Sequence, residues 1–252
     1  MRKPKHLKFT INNVLIFPHY LYKYFLKYLI FFLEFLVLKI QRAEKRSLIT
    51  SGHKKLLKKN KNFKNIHIDK KAFVIVNGPS LATQDMSLIK DDIKYVVSAF
   101  FKHDIISDNW QPNYYSFLDE NMFEEDVIQS SFYKELNLKI KNANFFVPLL
   151  RGLDANKKFK FLPSKRTHYF AAVGGAIDSA DLTKPVGGLQ GVGALSILQA
   201  VFMGCNPIYL LGFDHDYLAH RGFDHHFYKG PTLENHVLAN VTLESRLPYD
   251  EE

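Results

Sequence analysis

A stretch of ten residues from Ala72 to Leu81 constrains the fold of this chain more than any other. It reads Ala-Phe-Val-Ile-Val-Asn-Gly-Pro-Ser-Leu, so an apolar, mostly β-favouring run ends abruptly at turn-forming residues. The pattern predicts a buried strand, a tight turn and then a helix. Ligands of open α/β sheets bind just beyond the carboxyl ends of strands, where this turn would lie. The turn residues are therefore candidate ligand contacts, although a purely structural turn explains them equally well: Asn77, Gly78, Pro79 and Ser80.

Further strand and helix patterns alternate along the chain. Strands are predicted at 95–100, 114–118, 144–148 and 207–212, and helical patterns at 83–91 and 120–140. Glycines at Gly191 and Gly193 open another helix, which Gly204 closes. Residues 151–187 are polar and aromatic without a period, so we expect a long loop or a lid there. The alternation predicts an α/β fold with a doubly wound, mostly parallel sheet.

Charge divides the chain into two parts. Residues 1–71 hold 18 Lys and Arg residues against three acids, a net charge of +15, whereas the remainder carries −6. The shift predicts a basic arm over residues 1–68 and an α/β domain over residues 69–252. The single cysteine, Cys205, excludes an internal disulfide framework and fits a reducing compartment.

The arm contains an apolar helical segment that charged residues interrupt. Between Ile11 and Ile40 no uncharged run reaches the roughly 18 residues expected of a membrane-spanning helix. A helical projection places six polar residues in one stripe about 80° wide: His19, Lys23, Lys27, Glu34, Gln41 and Lys45. Basic clusters flank the segment, and an anionic membrane surface would attract them.

We therefore expect the arm to be an in-plane anchor, which makes the protein cytoplasmic and peripheral on the inner face of the cell membrane. A helix that packs on the domain itself is the alternative. Nucleic acid is not expected as a partner, because the aromatic residues lie in the apolar helix and not among the lysines. A signal peptide is not expected, because the apolar stretch is long, repeatedly charged and lacks a small-residue cleavage site.

Polar side chains recur where the predicted strands end. Ser98, Asp119 and Asp214 follow the later strands, and the helix start at Gly191 and Gly193 offers free backbone N–H groups to a phosphate. The glycine spacing departs from the Walker pattern and from the dinucleotide fingerprint, which argues against an ordinary phosphate-loop nucleotidase or dehydrogenase. We expect these groups to meet at one edge of the sheet as a nucleotide-binding crevice.

Asp214 and Asp216 form an Asp-x-Asp pair whose carboxylates share one face of an extended segment. Such a pair can hold Mg²⁺ or Mn²⁺ against a diphosphate, and two solvated acids explain it equally well. Histidines cluster beside it, and one of them can act as a general base near neutral pH: His215, His220, His225 and His226. A zinc site is disfavoured, because cysteine ligands and a recognised spacing are missing.

Taken in order, these motifs resemble two related families. The motifs are Val-Asn-Gly-Pro-Ser-Leu, then Trp110-x-Pro-x-Tyr-Tyr-x-x-x-Asp119, then a Gly-x-Gly helix followed by Ile208-Tyr-Leu-Leu-Gly-Phe-Asp214. The order is similar to that of the bacterial sialyltransferases of lipooligosaccharide synthesis. It is also similar to that of proteins resembling archaeal 6-hydroxymethylpterin diphosphokinase, which include the flagellin-glycosylating motility accessory factors. The resemblance covers residues 70–226 and implies a Rossmann-like sheet of the GT-A-type variant.

The sialyltransferase resemblance also implies site residues. Asn77 would contact a cytidine nucleotide, the glycine-rich helix start would lie near it, and His225 or His226 would be the general base. Ser98 and Asp119 stand where that family has asparagines. A phosphate-facing tyrosine position falls at Asp216 or Tyr217. Those enzymes need no metal, whereas an acid near a phosphate favours a cation.

We expect a bacterial glycosyltransferase of surface-polysaccharide or glycoconjugate synthesis. Its donor would be a nucleotide-sugar, first a CMP-linked nonulosonic acid, and its acceptor a glycan. The alternatives are an ATP- and Mg-dependent pterin diphosphokinase using Asp119, Asp214 and Asp216, and a non-catalytic membrane scaffold. Related chains continue well beyond the Gly-x-Asp strand, whereas this one ends 38 residues after Asp214, so we expect a last helix or strand to be missing.

Overall fold

The computed structural model describes residues 11–174, 179–214 and 226–228, and side chains of the first helix from Tyr22 onward. The predictions for Asp216, Tyr217 and His225 lie outside the described residues. The chain forms two compact units, Met1–Leu48 and Ile49–Glu252.

The first unit is a single long helix, α1 (Ile11–Ser47). Its side chains from Tyr22 onward are almost all exposed, and they include large apolar groups such as Tyr28, Phe31 and Ile40. Charged residues such as Lys23, Lys27 and Glu34 interrupt its apolar sequence. Across the described part of the chain, no helix is both long and apolar enough to cross a membrane.

The second unit is built around a six-stranded sheet with helices between the strands. The strands are β1 (Ala72–Ile75), β2 (Ile93–Val97), β3 (Tyr114–Ser116), β4 (Asn144–Pro148), β5 (Thr167–Phe170) and β6 (Ile208–Leu211). The helices are α2 (Ser51–Lys58), α3 (Glu125–Gln129), α4 (Ser131–Lys139), α5 (Leu149–Phe159) and α6 (Val192–Phe202).

All five strand pairings are parallel, and the strand order is β5-β4-β3-β2-β1-β6. Successive strand residues point to opposite faces. Val74 and Tyr95 pack with α6 on one face, whereas Ile75 and Val96 pack with α3 and α4 on the other. The predicted α/β fold with a doubly wound parallel sheet is confirmed, and it has the Rossmann-like arrangement.

The segment between β4 and α6 was predicted as a long loop, and that prediction is wrong. It contains most of α5, a short 3₁₀-helix at Ser164–Arg166 and β5. The apolar face of α5 is short, with Leu149 and Leu153 packed against Leu57. Strand β5 reads Thr-His-Tyr-Phe and lies at the edge of the sheet, and only its first and last residues are buried. Both patterns are too brief to stand out in the sequence.

Two other helical predictions also differ in detail. The turn after β1 leads into a 3₁₀-helix, Pro79–Thr83, and residues 83–91 hold a second one, Met86–Ile89. The pattern over 120–140 is broken by Ser130, whose hydroxyl accepts from the Phe132 N–H and caps α4. A side chain that bonds the backbone in this way ends one helix and starts the next.

The two units divide earlier than the expected boundary at residue 68. Leu57 of α2 is buried, and the 3₁₀-helix that follows, Lys59–Phe63, holds the buried Asn60. The Asn60 amide donates to the carbonyls of Tyr169 and Leu182, at 2.8 and 2.9 Å. The lysine-rich segment after α1 is therefore part of the α/β unit.

Candidate functional site

The order in which the chain adds strands reverses between β1 and β6. The carboxyl ends of these two strands therefore form the topological switch point of the sheet. From β1 the chain moves to β2 on one side, and it later returns through α6 to β6 on the other side. The ladder continues past both strands, since Val76 N–H bonds Leu211 O and Gly78 N–H bonds Gly212 O. Open α/β sheets bind their ligands at such a reversal.

The predicted turn residues and Asp214 do meet there. Asp214 Oδ2 accepts a hydrogen bond from the Ser80 backbone N–H at 2.8 Å. A Cβ added to Gly78 would lie 2.3 Å from that same oxygen and 2.3 Å from Gly212 O. Only glycine fits this close approach, so Gly78 is required by packing, and Pro79 starts the 3₁₀-helix that presents Ser80.

Asn77 is buried, with 7% of its surface exposed. Its amide nitrogen lies 3.5 Å from Val97 O, and its Oδ1 has no hydrogen-bond partner among the described residues. A buried amide oxygen without a donor costs about 1–3 kcal/mol. This acceptor at the strand end is therefore available to a ligand that brings a donor.

The start of α6 lies against the same junction. A Cβ on Gly193 would meet the Phe213 ring at 2.8 Å and the Val76 side chain at 3.1 Å. Gly191, the residue before the helix, would meet no described atom within 4 Å. The first N–H groups of a helix have no partner within it and carry a positive partial charge. The N-terminus of α6 thus presents donors in open space beside β1 and β6.

The ends of β2 and β3 continue this edge. Ser98 has a left-handed backbone, with φ of 47°, its N–H bonds Ser116 O, and its carbonyl accepts from Tyr115 Oη at 2.8 Å. Such a conformation in a serine is strained and is often found at functional sites. Asp119 lies three residues beyond β3 and is exposed.

One buried polar group near this edge was missed by sequence reasoning. Gln199 of α6 is fully buried, its Oε1 accepts from Ser116 Oγ at 2.9 Å, and its Nε2 has no partner among the described residues. Its sequence neighbours are apolar, so the helix pattern places it in the core. Only the structure shows that its side chain bonds Ser116 of β3.

A short segment around His226 lies over the end of β1. The Phe227 N–H donates to Asn77 O at 3.0 Å, so His226 lies one residue from this contact. The His226 ring stacks on Tyr228, with centroids 5.0 Å apart. Of the two predicted general bases, His226 is the one within the described residues, and its backbone lies beside the candidate site.

His103 also belongs to this neighbourhood, although no sequence motif singles it out. Its ring lies 4.9 Å from the Phe227 ring, and its Nδ1 accepts from the Ile105 N–H at 3.1 Å. Burial lowers the pKa of His103, which favours the neutral ring that this acceptor role requires.

Asp214 Oδ2 accepts from the Ser80 N–H, which leaves Oδ1 and the second lone pair of Oδ2 to bind a divalent cation. Within the described ranges no group of three or more His, Cys, Asp or Glu side chains is arranged to hold a metal. Asp216, the other half of the predicted pair, lies outside those ranges.

The fold is that of a Rossmann-like α/β protein, and the edge where its strand order reverses is the candidate ligand site. Comparison with known proteins finds no matching family model and no matching curated protein.

Proposed function

We propose that this protein is a membrane-associated glycosyltransferase that uses a nucleotide-sugar, first a CMP-linked nonulosonic acid, in bacterial surface-polysaccharide or glycoconjugate synthesis. The observation that carries the proposal is the buried Oδ1 of Asn77 at the strand end beside the start of α6, which has no hydrogen-bond partner among the described residues. A nucleoside brings amino and hydroxyl donors that satisfy such an oxygen. The resemblance of the sequence motifs to sialyltransferases supports cytidine as the nucleoside.

The phosphate would occupy the N-terminus of α6. Its free N–H groups and helix dipole favour an anion, and the open space at Gly191 leaves room for one. Gly193 lets the helix approach Phe213 and Val76 closely, so the start of α6 lies next to the residue that precedes Asn77. Both contacts involve neutral donors and acceptors, which suits a nucleotide bound without a cation.

The reaction would be a direct displacement. The acceptor hydroxyl gives its proton to His225 or His226, and its oxygen forms a bond to the anomeric carbon of the donor sugar. The bond between that carbon and the phosphate oxygen breaks, and the electron pair leaves with CMP. The α6 N-terminus and Tyr217 stabilise the added negative charge on the departing phosphate.

Helix α1 would hold the enzyme at the inner face of the cell membrane, near a lipid-associated glycan acceptor. Its exposed apolar side chains and its basic residues suit the boundary between acyl chains and anionic headgroups. No step of the transfer depends on this helix, so membrane binding and nucleotide binding can be measured separately.

A thermal-shift titration of the full chain with CMP, CMP-sialic acid and ATP, each with and without Mg²⁺, tests the proposal. A ligand at a hundredfold excess over its Kd adds about 2.7 kcal/mol of stability. We expect CMP and CMP-sialic acid to raise the Tm without metal. A shift by ATP only with Mg²⁺ would replace this function with pyrophosphoryl transfer. No shift with any nucleotide would overturn it in favour of a scaffold.

Donor turnover is the second measurement. CMP release from CMP-sialic acid, with a lactose-terminated glycan as acceptor, should be lost on replacing Asn77 by Ala. Binding without release in the wild-type chain would overturn the transferase assignment while keeping the nucleotide site.

A further inference from the structure

A basic groove lies on the α/β unit, away from the crevice. It has a volume of about 400 Å³, and its lining comes from α2, the following 3₁₀-helix and the loop before α6: Lys55, Lys58, Lys59, Lys61, Asn62 and Thr183. Asn60 connects the segments that form the groove, because its side-chain amide donates to the carbonyls of Tyr169 and Leu182. Strand β5 beneath it is the edge opposite β6, so the groove and the nucleotide crevice occupy opposite ends of the sheet.

The four lysines concentrate positive charge around the groove. All four are exposed, and none forms an ion pair with any described residue. The charge of Lys59 reaches His168, whose pKa is lowered first by burial and further by this lysine. Four ammonium groups around one concavity repel one another, and an anion in the groove relieves that repulsion.

The ligand chemistry is that of a phosphate group. Lysine is a compact point charge on a flexible stem, which suits mobile phosphates of varied geometry better than one fixed bidentate partner. Asn62 and Thr183 add an amide and a hydroxyl that can donate to phosphate oxygens.

The position of the groove in the sequence selects the source of the phosphate. Only three residues separate the end of α1 at Ser47 from the start of α2 at Ser51. The lysines therefore follow an exposed apolar helix directly, as the basic flank of a membrane-binding segment does. We propose that this groove binds the phosphate headgroups of anionic phospholipids.

Co-sedimentation of the full chain with phosphatidylglycerol and phosphatidylcholine vesicles tests the proposal. One variant replaces Lys55, Lys58, Lys59 and Lys61 by Gln. A matched control replaces four exposed lysines elsewhere on the same unit by Gln, with the same change in net charge: Lys90, Lys134, Lys157 and Lys165. Circular dichroism and the Tm establish that both variants fold.

We expect the groove variant to bind phosphatidylglycerol vesicles at least about tenfold more weakly, because it loses four basic side chains that an anionic surface attracts. The control should lose clearly less, and phosphatidylcholine binding should be equal for all three proteins. Equal losses in both variants would overturn the proposal, since net charge alone would then explain binding. Displacement from vesicles by millimolar inorganic phosphate would overturn the lipid as the source. The inference rests on the membrane association in the proposed function, but nucleotide thermal shifts should survive in the groove variant, so the failure of the lipid site and the failure of the nucleotide site are distinguishable.

Discussion

The carboxylate of Asp214 accepts a 2.8 Å hydrogen bond from the backbone N–H of Ser80, a residue 134 positions earlier in the chain. The bond connects the end of β6 to the turn after β1. These are the two neighbouring strands between which the strand order reverses. Asp214 therefore helps to hold these two strand ends together, independently of any group that its Oδ1 binds.

Replacing Asp214 by Ala should destabilise the protein by about 1–3 kcal/mol, because the partly buried Ser80 N–H loses its acceptor. Asp214→Asn keeps an oxygen acceptor and should lose less. Urea unfolding of both variants measures the difference. Equal losses would show that the hydrogen bond contributes nothing. A Mg²⁺-dependent Tm rise in the wild type that Asp214→Asn abolishes would instead assign the residue to a cation.

Gly78→Ala should destabilise the fold by about 1–3 kcal/mol or more, because the added Cβ meets Asp214 and the Gly212 carbonyl at 2.3 Å. Its φ of −61° suits alanine, so the loss comes from contact alone. Gly191→Ala is the matched control: its added Cβ meets no described atom within 4 Å, and we expect a change within about 0.5 kcal/mol. Thermal unfolding of the two variants measures both, and equal stabilities would contradict the packing argument.

Asn77→Ala should leave stability within about 1 kcal/mol of wild type while abolishing the thermal shift by nucleotide. The reason is that Oδ1 has no described partner and the amide nitrogen lies 3.5 Å from Val97 O. Asn156→Ala is the control, since its Oδ1 accepts from Leu162 N–H at 2.9 Å. That variant should lose stability but keep the nucleotide shift. The reverse pattern would make Asn77 structural.

Asn60→Ala should cost about 2–3 kcal/mol, because the carbonyls of Tyr169 and Leu182 both lose a buried donor. Asn62→Ala, at an exposed position two residues away, should be nearly neutral for folding. Hydrogen exchange of the loop around Leu182 reports the loosening directly. Unchanged amide hydrogen exchange around Leu182 in Asn60→Ala would show that Asn60 does not hold this loop in place.

Protonation of His168 should destabilise the protein in mild acid. Burial, and to a lesser extent Lys59, lowers the pKa of this histidine from 6.5 to about 4, and its Nε2 lies 3.0 Å from Asn144 Oδ1. Because the folded pKa is below the unfolded one, the contribution is complete above pH 6.5 and is lost as pH falls toward 4. His168→Gln can still donate to Asn144 and does not titrate. The unfolding free energy of this variant should therefore fall less than that of wild type between pH 7 and 4. Parallel curves of unfolding free energy against pH would refute the role of His168 protonation.

Local patterns predicted much of the architecture. Apolar runs that end at turn residues located five of the six strands, including β1 and β6, and the glycines around α6 marked both of its ends. The sixth strand, β5, escaped prediction, because His168 and Tyr169 are only half-buried at the sheet edge and carry no strong strand signal. Helix α5 escaped because its buried positions include Gly152 and Asn156 beside Leu149 and Leu153, which weakens the apolar period.

The site was predictable as a set of strand ends but not as a geometry. The sequence indicated Asn77, Ser98, Asp119 and Asp214 because each follows an apolar run. It carried no signal for His103 or Gln199, which gain their surroundings from distant elements. It also assigned the lysines around Lys58 to the arm, because charge composition does not reveal that Leu57 and Asn60 are buried.

By itself, then, the sequence determined an alternating α/β chain with polar residues at its strand ends, because strand and helix periods and turn residues are local properties. Only the tertiary structure decided that β1 lies between β2 and β6, that Asp214 bonds Ser80, and that Asn77 keeps a buried oxygen without a described partner. The physical reason is the same in each case. Hydrogen bonding and burial at these positions depend on residues from distant parts of the chain, which no local pattern encodes.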